Sequence, residues 1–170
     1  LIKKEMIADG EASNSLALRQ ASPEKTRECV LLIDDSHAAM RLVEYALEEF
    51  GQQGYVLEWA KTLAEGLDRI AKGRVDLVVL DLGLPDCSGP ICYAWVRELA
   101  KDRPVVVFTA DPSEETDFSL TASGVADYLI KEQTSGPQLV QAIRLALYAR
   151  EQENPSAGTK LTRRWLNNLL

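Results

Sequence analysis

Five side chains in this sequence could carry phosphoryl chemistry together: the adjacent acids Asp34 and Asp35, the acid Asp81, the hydroxyl of Thr109 and the ammonium of Lys131. Three carboxylates drawn into one place repel one another and require a cation. An all-oxygen donor set favours a hard ion such as Mg²⁺. Carboxylates around such an ion, beside a hydroxyl and an ammonium, match what phosphoryl transfer needs, because charge accumulates on the equatorial oxygens of the moving group. In that arrangement Asp81 is the nucleophile. Lys131 pairs with the acceptor carboxylate and then with a phosphoryl oxygen, and Thr109 hydrogen-bonds another.

The elements that must position these groups follow from the apolar pattern. Cys29-Val30-Leu31-Leu32-Ile33 is a continuous β-prone run that ends in Asp34-Asp35, as expected of a strand covered on both faces. From Ser36 the spacing changes: Ala39, Val43, Ala46, Leu47 and Phe50 share one helical face, and Gly51 follows as a stop. The alternation recurs, with strands near 55–60, 75–80, 104–109 and 126–130 and helices near 62–72, 88–101, 114–123 and 134–150. Strand–helix alternation of this kind specifies a five-stranded parallel sheet with helices on both faces, since each crossover returns right-handed. The expected fold is α/β, a flavodoxin-like doubly wound (βα)5 three-layer sandwich. Ligands in such folds bind beyond the carboxyl ends of the strands, where the strand order reverses, and all five reactive residues stand at those ends.

Composition narrows the class. A chain of 170 residues that is 46% apolar supports one ordinary core. The expected organisation is a leader over 1–28, one domain over 29–151, and a linker with a short amphipathic helix over 152–170. The net charge of −7 is concentrated in the central part, where residues 29–151 hold eleven bases against twenty acids. That balance argues against direct nucleic-acid or anionic-membrane binding, which needs clustered Lys and Arg. No run approaches the ~18 apolar residues of a bilayer span, and the reading is a soluble, cytoplasmic domain. Cys29, Cys87 and Cys92 are odd in number and lack CxxC spacing, and with a single histidine they form no zinc set. They read as reduced thiols, Cys87 as an ordinary one without an adjacent cation. His37 is expected to be an exposed helix residue without a role.

Four segments carry a family resemblance: Val30-Leu31-Leu32-Ile33-Asp34-Asp35-Ser36, Val78-Val79-Leu80-Asp81-Leu82-Gly83-Leu84-Pro85-Asp86 with Gly89, Val107-Phe108-Thr109-Ala110, and Asp127-Tyr128-Leu129-Ile130-Lys131. Together they resemble the response-regulator receiver domain of two-component signalling, over about residues 29–151. The resemblance implies a phosphorylation-activated switch in which Asp81 accepts a phosphoryl group from a sensor histidine kinase or phosphotransfer protein. It implies Asp35 as a direct and Asp34 as a more indirect Mg²⁺ ligand, with Asp81 and the Gly83 carbonyl completing the set. Thr109 and Tyr128 become switch residues. The surface that changes is formed by the fourth helix, fifth strand and fifth helix, which could also serve a homodimer. The chain departs from the family at Glu132, where proline usually follows the lysine, often in cis. A non-proline cis bond costs ~2.5–4 kcal/mol, so a trans bond is expected. Asp111 occupies a variable position near the path of the attacking water.

Other readings remain beside this one. Asp34-Asp35-Ser36 alone could be a helix cap, and a pseudo-receiver would keep the fold without phosphorylation. Leu161, Trp165 and Leu169 fall at i, i+4 and i+8; that tail could dock on the domain, pair in a dimer, or begin an output module outside this chain. A haloacid-dehalogenase-like phosphatase also uses a strand-end Asp with Mg²⁺ and a Lys, but it needs an acid/base Asp two residues after the nucleophile, where this chain has Gly83. A generic phosphatase assay on external phosphate esters is therefore expected to show no turnover above the Asp81→Asn background.

Overall fold

The computed structural model describes residues 27–110 and 124–153. Five parallel strands form the sheet: β1 (Glu28–Ile33), β2 (Tyr55–Ala60), β3 (Leu77–Leu80), β4 (Val105–Thr109) and β5 (Asp127–Ile130), in the spatial order β2-β1-β3-β4-β5. The helices are α1 (His37–Phe50), α2 (Leu63–Lys72), α3 (Pro90–Ala100) and α4 (Gly136–Glu153). The expected doubly wound sandwich is what forms. The order reverses between β1 and β3, which places the crevice beside the two strands that end in acids.

Two cores explain why the strands read as unbroken apolar runs. Leu31, Ile33, Val78, Leu80, Val105 and Val107 face α2 and α3, meeting Ile70, Cys92 and Val96. The alternate positions Val30, Leu32, Leu77, Val79, Val106 and Phe108 face α1 and α4, meeting Val43, Leu47, Leu139 and Ile143. Period-two alternation thus feeds two hydrophobic layers, and truncating a residue such as Leu31 or Phe108 to Ala costs about 2–5 kcal/mol.

Local signals set the element ends near the crevice. Ser36 caps α1, its hydroxyl accepting from the Ala39 N–H at 3.3 Å, and Thr62 caps α2 by accepting from Glu65. Gly66 lets α2 approach β1: a Cβ there would lie 2.3 Å from Ile33 Cδ1. After β3 the chain makes a short hairpin unforeseen from the sequence, with Gly83 opposite Ser88 and Leu84 opposite Cys87. Gly89 then turns with φ of 76°, and Pro90 starts α3.

Several expectations fall outside the described residues: the helix near 114–123, Asp111, most of the leader and the amphipathic tail. β1 begins at Glu28, one residue before the expected boundary, and α4 continues to Glu153, past the expected one. The Lys131–Glu132 peptide is trans, as is every described peptide, and the chain there makes a 3-10 turn over Lys131–Gln133.

The opposite end of the sheet holds an acid pair. Asp76 accepts from the Cys29 N–H at 2.9 Å, and Arg150 of α4 donates to the Asp76 carbonyl at 3.0 Å. Burial first, then the charge and hydrogen bond of Asp76, push the Glu28 carboxyl up to about 7. Burial likewise lifts the Cys29 thiol to about 12. Because the folded protein holds the Glu28 proton more tightly than the unfolded chain, this group contributes stability that is complete at low pH and lost as pH rises through about 7. Glu28→Gln is accordingly expected to raise the urea midpoint at pH 8 and to change it little at pH 4.

Candidate functional site

Backbone pairing carries the acids to adjacent positions. The Asp34 N–H donates to the Ala60 carbonyl at 3.0 Å, and the Asp81 N–H donates to the Ile33 carbonyl at 2.9 Å. Sheet bonding therefore continues past β1 and β3 and fixes both acids beside each other. One carboxylate oxygen from each of Asp34, Asp35 and Asp81 lies within 4.8 Å of the others. Asp34 is fully buried and Asp81 nearly so, whereas Asp35 is exposed.

Lys131 follows directly on β5 and reaches into this cluster, its Nζ 2.6 Å from Asp34 Oδ2 and 2.7 Å from Asp81 Oδ2. The contact with Asp81 is a directed hydrogen bond. The one with Asp34 is close but off the hydrogen-bond direction, so the buried Oδ2 is compensated by charge without a directed bond. Burial raises the Asp34 carboxyl above the usual range, against the lowering pull of Lys131 and of the Ser36 N–H on Oδ1. Burial alone would lower the Lys131 ammonium, but its close contacts with the Asp34 and Asp81 carboxylates and their charge hold it above the ordinary lysine value.

Thr109 closes β4, is buried, and lies in register with Ile130, the residue before Lys131. Gly83 sits two residues past Asp81 and donates its N–H to Asp81 Oδ1 at 3.2 Å, so the hairpin backbone lies against the acceptor. Tyr128 is half-buried on β5 and packs on the α2/α3 side of the sheet. The structure thus gathers Asp34, Asp35, Asp81 and Lys131 into one site, with Thr109 and Gly83 at neighbouring strand ends and Tyr128 one turn of the pleat behind.

The residues fit a divalent cation. Three carboxylates against one ammonium leave an excess of two negative charges, and the buried Asp34 Oδ2 keeps a lone pair without a directed donor. Asp34, Asp35 and Asp81 would hold the ion, and an oxygen-only set is what Mg²⁺ prefers.

Sequence reasoning missed three contributors. Trp59 on β2 donates its indole N–H to the Asp34 carbonyl at 2.6 Å, receives His37 edge-on at 4.7 Å, and lies under Lys61 at 4.7 Å. His37 is exposed, as expected. Asp86, at the hairpin tip, accepts from the N–H groups of Leu63 and Ala64 at 2.8 and 3.0 Å, tying the loop after Asp81 to the start of α2. Burial would raise its carboxyl, but those N–H donors hold it below the usual range. The expectation of reduced thiols is corrected: Cys87 and Cys92 are disulfide-bonded, with Cα atoms 5.8 Å apart, and Cys29 is free and buried. The turn at Gly89-Pro90 brings the two together at a spacing that has no CxxC signature. A half-buried Trp on an edge strand or an Asp after a proline carries no sequence mark of such partners.

Lys131→Met leaves the buried carboxylates of Asp34 and Asp81 without their cation. It is expected to destabilise the metal-free protein by about 3 kcal/mol, and added Mg²⁺ should restore more stability to the variant than to the parent, as read from urea midpoints.

Comparison with known proteins places this site in a family. The family model for the response regulator receiver domain matches residues 30–144. Among curated proteins, the KDP operon transcriptional regulatory protein KdpE of Escherichia coli K12 is 37% identical over 120 residues, covering 69% of this chain and 50% of that protein. The two-component response regulator PhoP of Pseudomonas aeruginosa is 31% identical over 101 residues, 59% of this chain and 44% of that protein. The chain spans about half the length of these relatives or less. Among solved structures, a CheY-like response regulator receiver domain protein from Methanospirillum hungatei JF-1 superposes with a TM-score of 0.65 at 27% identity, covering 76% of this chain and all of that one. The signal receiver domain of a Luxo repressor protein from Vibrio parahaemolyticus gives 0.67 at 26% identity, covering 78% and 98%. The acid cluster, the strand-end lysine and the doubly wound sheet agree with these matches, and the chain belongs to the response regulator receiver domain family.

Proposed function

We propose that Asp81 is the phosphoacceptor of a Mg²⁺-dependent signalling switch. The observation that carries this reading is the convergence, within 4.8 Å, of the Asp34 and Asp35 carboxylates on the acceptor Asp81, which is already paired with Lys131. The divalent ion, when bound, neutralises the acids and the incoming phosphoryl oxygens so that two anions can meet.

The chain's own residues do the rest. Asp35, exposed, would hold the ion directly and Asp34, buried, more indirectly, with Asp81 and the Gly83 carbonyl completing the set. An Asp81 carboxylate oxygen attacks phosphorus in line, forming an acyl phosphate as the donor's bond to phosphorus breaks. Lys131 passes from pairing with Asp81 to pairing with a phosphoryl oxygen. Thr109 then donates its hydroxyl to another, and Tyr128 turns inward behind it. The regulatory surface is the one carrying β5 and α4, together with the helix expected near 114–123.

The donor is a sensor histidine kinase or a phosphotransfer protein, and the domain works in the cytoplasm. This reading allows an output module outside this chain, in keeping with relatives that are transcriptional regulatory proteins by name and of which the matched region covers 50% and 28%. A homodimer through the β5–α4 surface or the 152–170 tail is the assembly this reading allows. The domain's chemistry acts on itself, by acquiring and slowly hydrolysing the acyl phosphate. Incubation with acetyl phosphate and Mg²⁺ is expected to add the mass of one phosphoryl group; the addition should vanish with EDTA and in Asp81→Asn. An unchanged parent mass with metal present would sink the proposal.

A further inference from the structure

The loop that leaves Asp81 is held by more than hydrogen bonds. Gly83 and Leu84 pair with Ser88 and Cys87, the Gly89 N–H returns to the Leu82 carbonyl at 2.8 Å, and the Cys92 N–H donates to the Gly89 carbonyl at 3.1 Å. The Cys87–Cys92 disulfide closes a covalent ring across the Gly89-Pro90 turn and fastens the second hairpin strand to the first turn of α3. The first hairpin strand is Gly83-Leu84, and the Gly83 N–H donates to Asp81 Oδ1. One end of the fastened unit therefore touches the acceptor. We propose that Cys87 and Cys92 form a redox modification site, open to exchange with dithiols and small-molecule disulfides, that sets the order of the Gly83–Ser88 hairpin beside Asp81.

The two sulfurs are unequal. Cys92 is fully buried, whereas Cys87 is partly exposed. A dithiol's thiolate can approach Cys87 Sγ, form a mixed disulfide there, and expel Cys92 as the thiolate. Cys92 lies in the first turn of the eleven-residue α3, where the helix N-terminus stabilises a departing anion. The reductant's second thiol then attacks its own sulfur in the mixed disulfide and releases Cys87. The reductant leaves as a disulfide, and its two protons end on Cys87 and Cys92, so two electrons pass and atoms balance. In a cytoplasmic setting, which rests on the function proposed above, a protein disulfide is characteristically a transient or sensing one rather than a structural staple. Reduction leaves the hairpin held by its two paired positions, the Gly89–Leu82 backbone bond and the Asp86 contacts to α2.

The test uses the full chain equilibrated in oxidised and reduced dithiothreitol mixtures and quenched by alkylation. Cys87 and Cys92 are expected to become alkylated together as the mixture turns reducing, with Cys29 reacting only on unfolding. Amide hydrogen exchange over Leu82–Ser88 is expected to quicken about tenfold on reduction, and Cys87→Ser is expected to show the fast rate in every mixture. Acetyl phosphate labelling should slow in parallel in the parent and be redox-independent in Cys87→Ser. Failure of Cys87 and Cys92 to pair in the oxidising mixture, or identical exchange in both states, overturns the proposal. Absent labelling with the exchange difference intact would instead refute phosphorylation of Asp81 and leave the redox site standing.

Discussion

Mutual repulsion among Asp34, Asp35 and Asp81 is the constraint around which the rest of this domain is arranged. Carboxylates at these separations are stable only with positive charge among them, and Lys131 supplies one unit from the far side of the crevice. Bringing a residue from the end of β5 to acids on β1 and β3 requires the sheet to hold its order across four neighbouring strands. The two apolar layers exist to make that order rigid. Their residues are chosen for burial on both faces, and the polar chemistry is confined to the strand ends and the first residues that follow them.

The site was readable because parallel sheets expose it in one dimension. A strand buried on both sides must be apolar throughout, so the first charged residue after the run marks the strand end, and Asp34, Asp81 and Lys131 are such residues. Thr109 was legible only through its place at the end of Val105–Phe108. Helix faces were equally clear: the α1 residues Ala39, Val43, Ala46 and Leu47 are the buried ones, and Phe50 is partly buried. What could not be read depends on where loops fold back. The approach of Asp86 to the α2 amides spans more than twenty residues, the Trp59 indole reaches the carbonyl of a residue just past the neighbouring strand, and the Cys87–Cys92 bond forms across a glycine turn. None of these leaves a periodic trace, because each is set by tertiary approach.

Supporting contacts around the acids form a graded shell. Trp59 fixes the backbone of Asp34, the Ser36 N–H fixes one of its carboxylate oxygens, and the Gly83 N–H fixes one oxygen of Asp81. These groups orient without adding net charge, which leaves the electrostatic deficit for a bound ion to meet. Asp35, exposed and outside this shell, is the most adaptable of the three acids.

The position of β3 has a consequence for how information leaves the site. Its four residues are fully buried, flanked by hydrogen-bonded neighbours on both sides, with a hydrophobic layer above and below. A strand so enclosed has no alternative arrangement to adopt, and chemistry at its tip cannot travel back along it. The anchor is mute by construction, and whatever is written there must be spelled out sideways, by the rim around the crevice rather than by the spine beneath it.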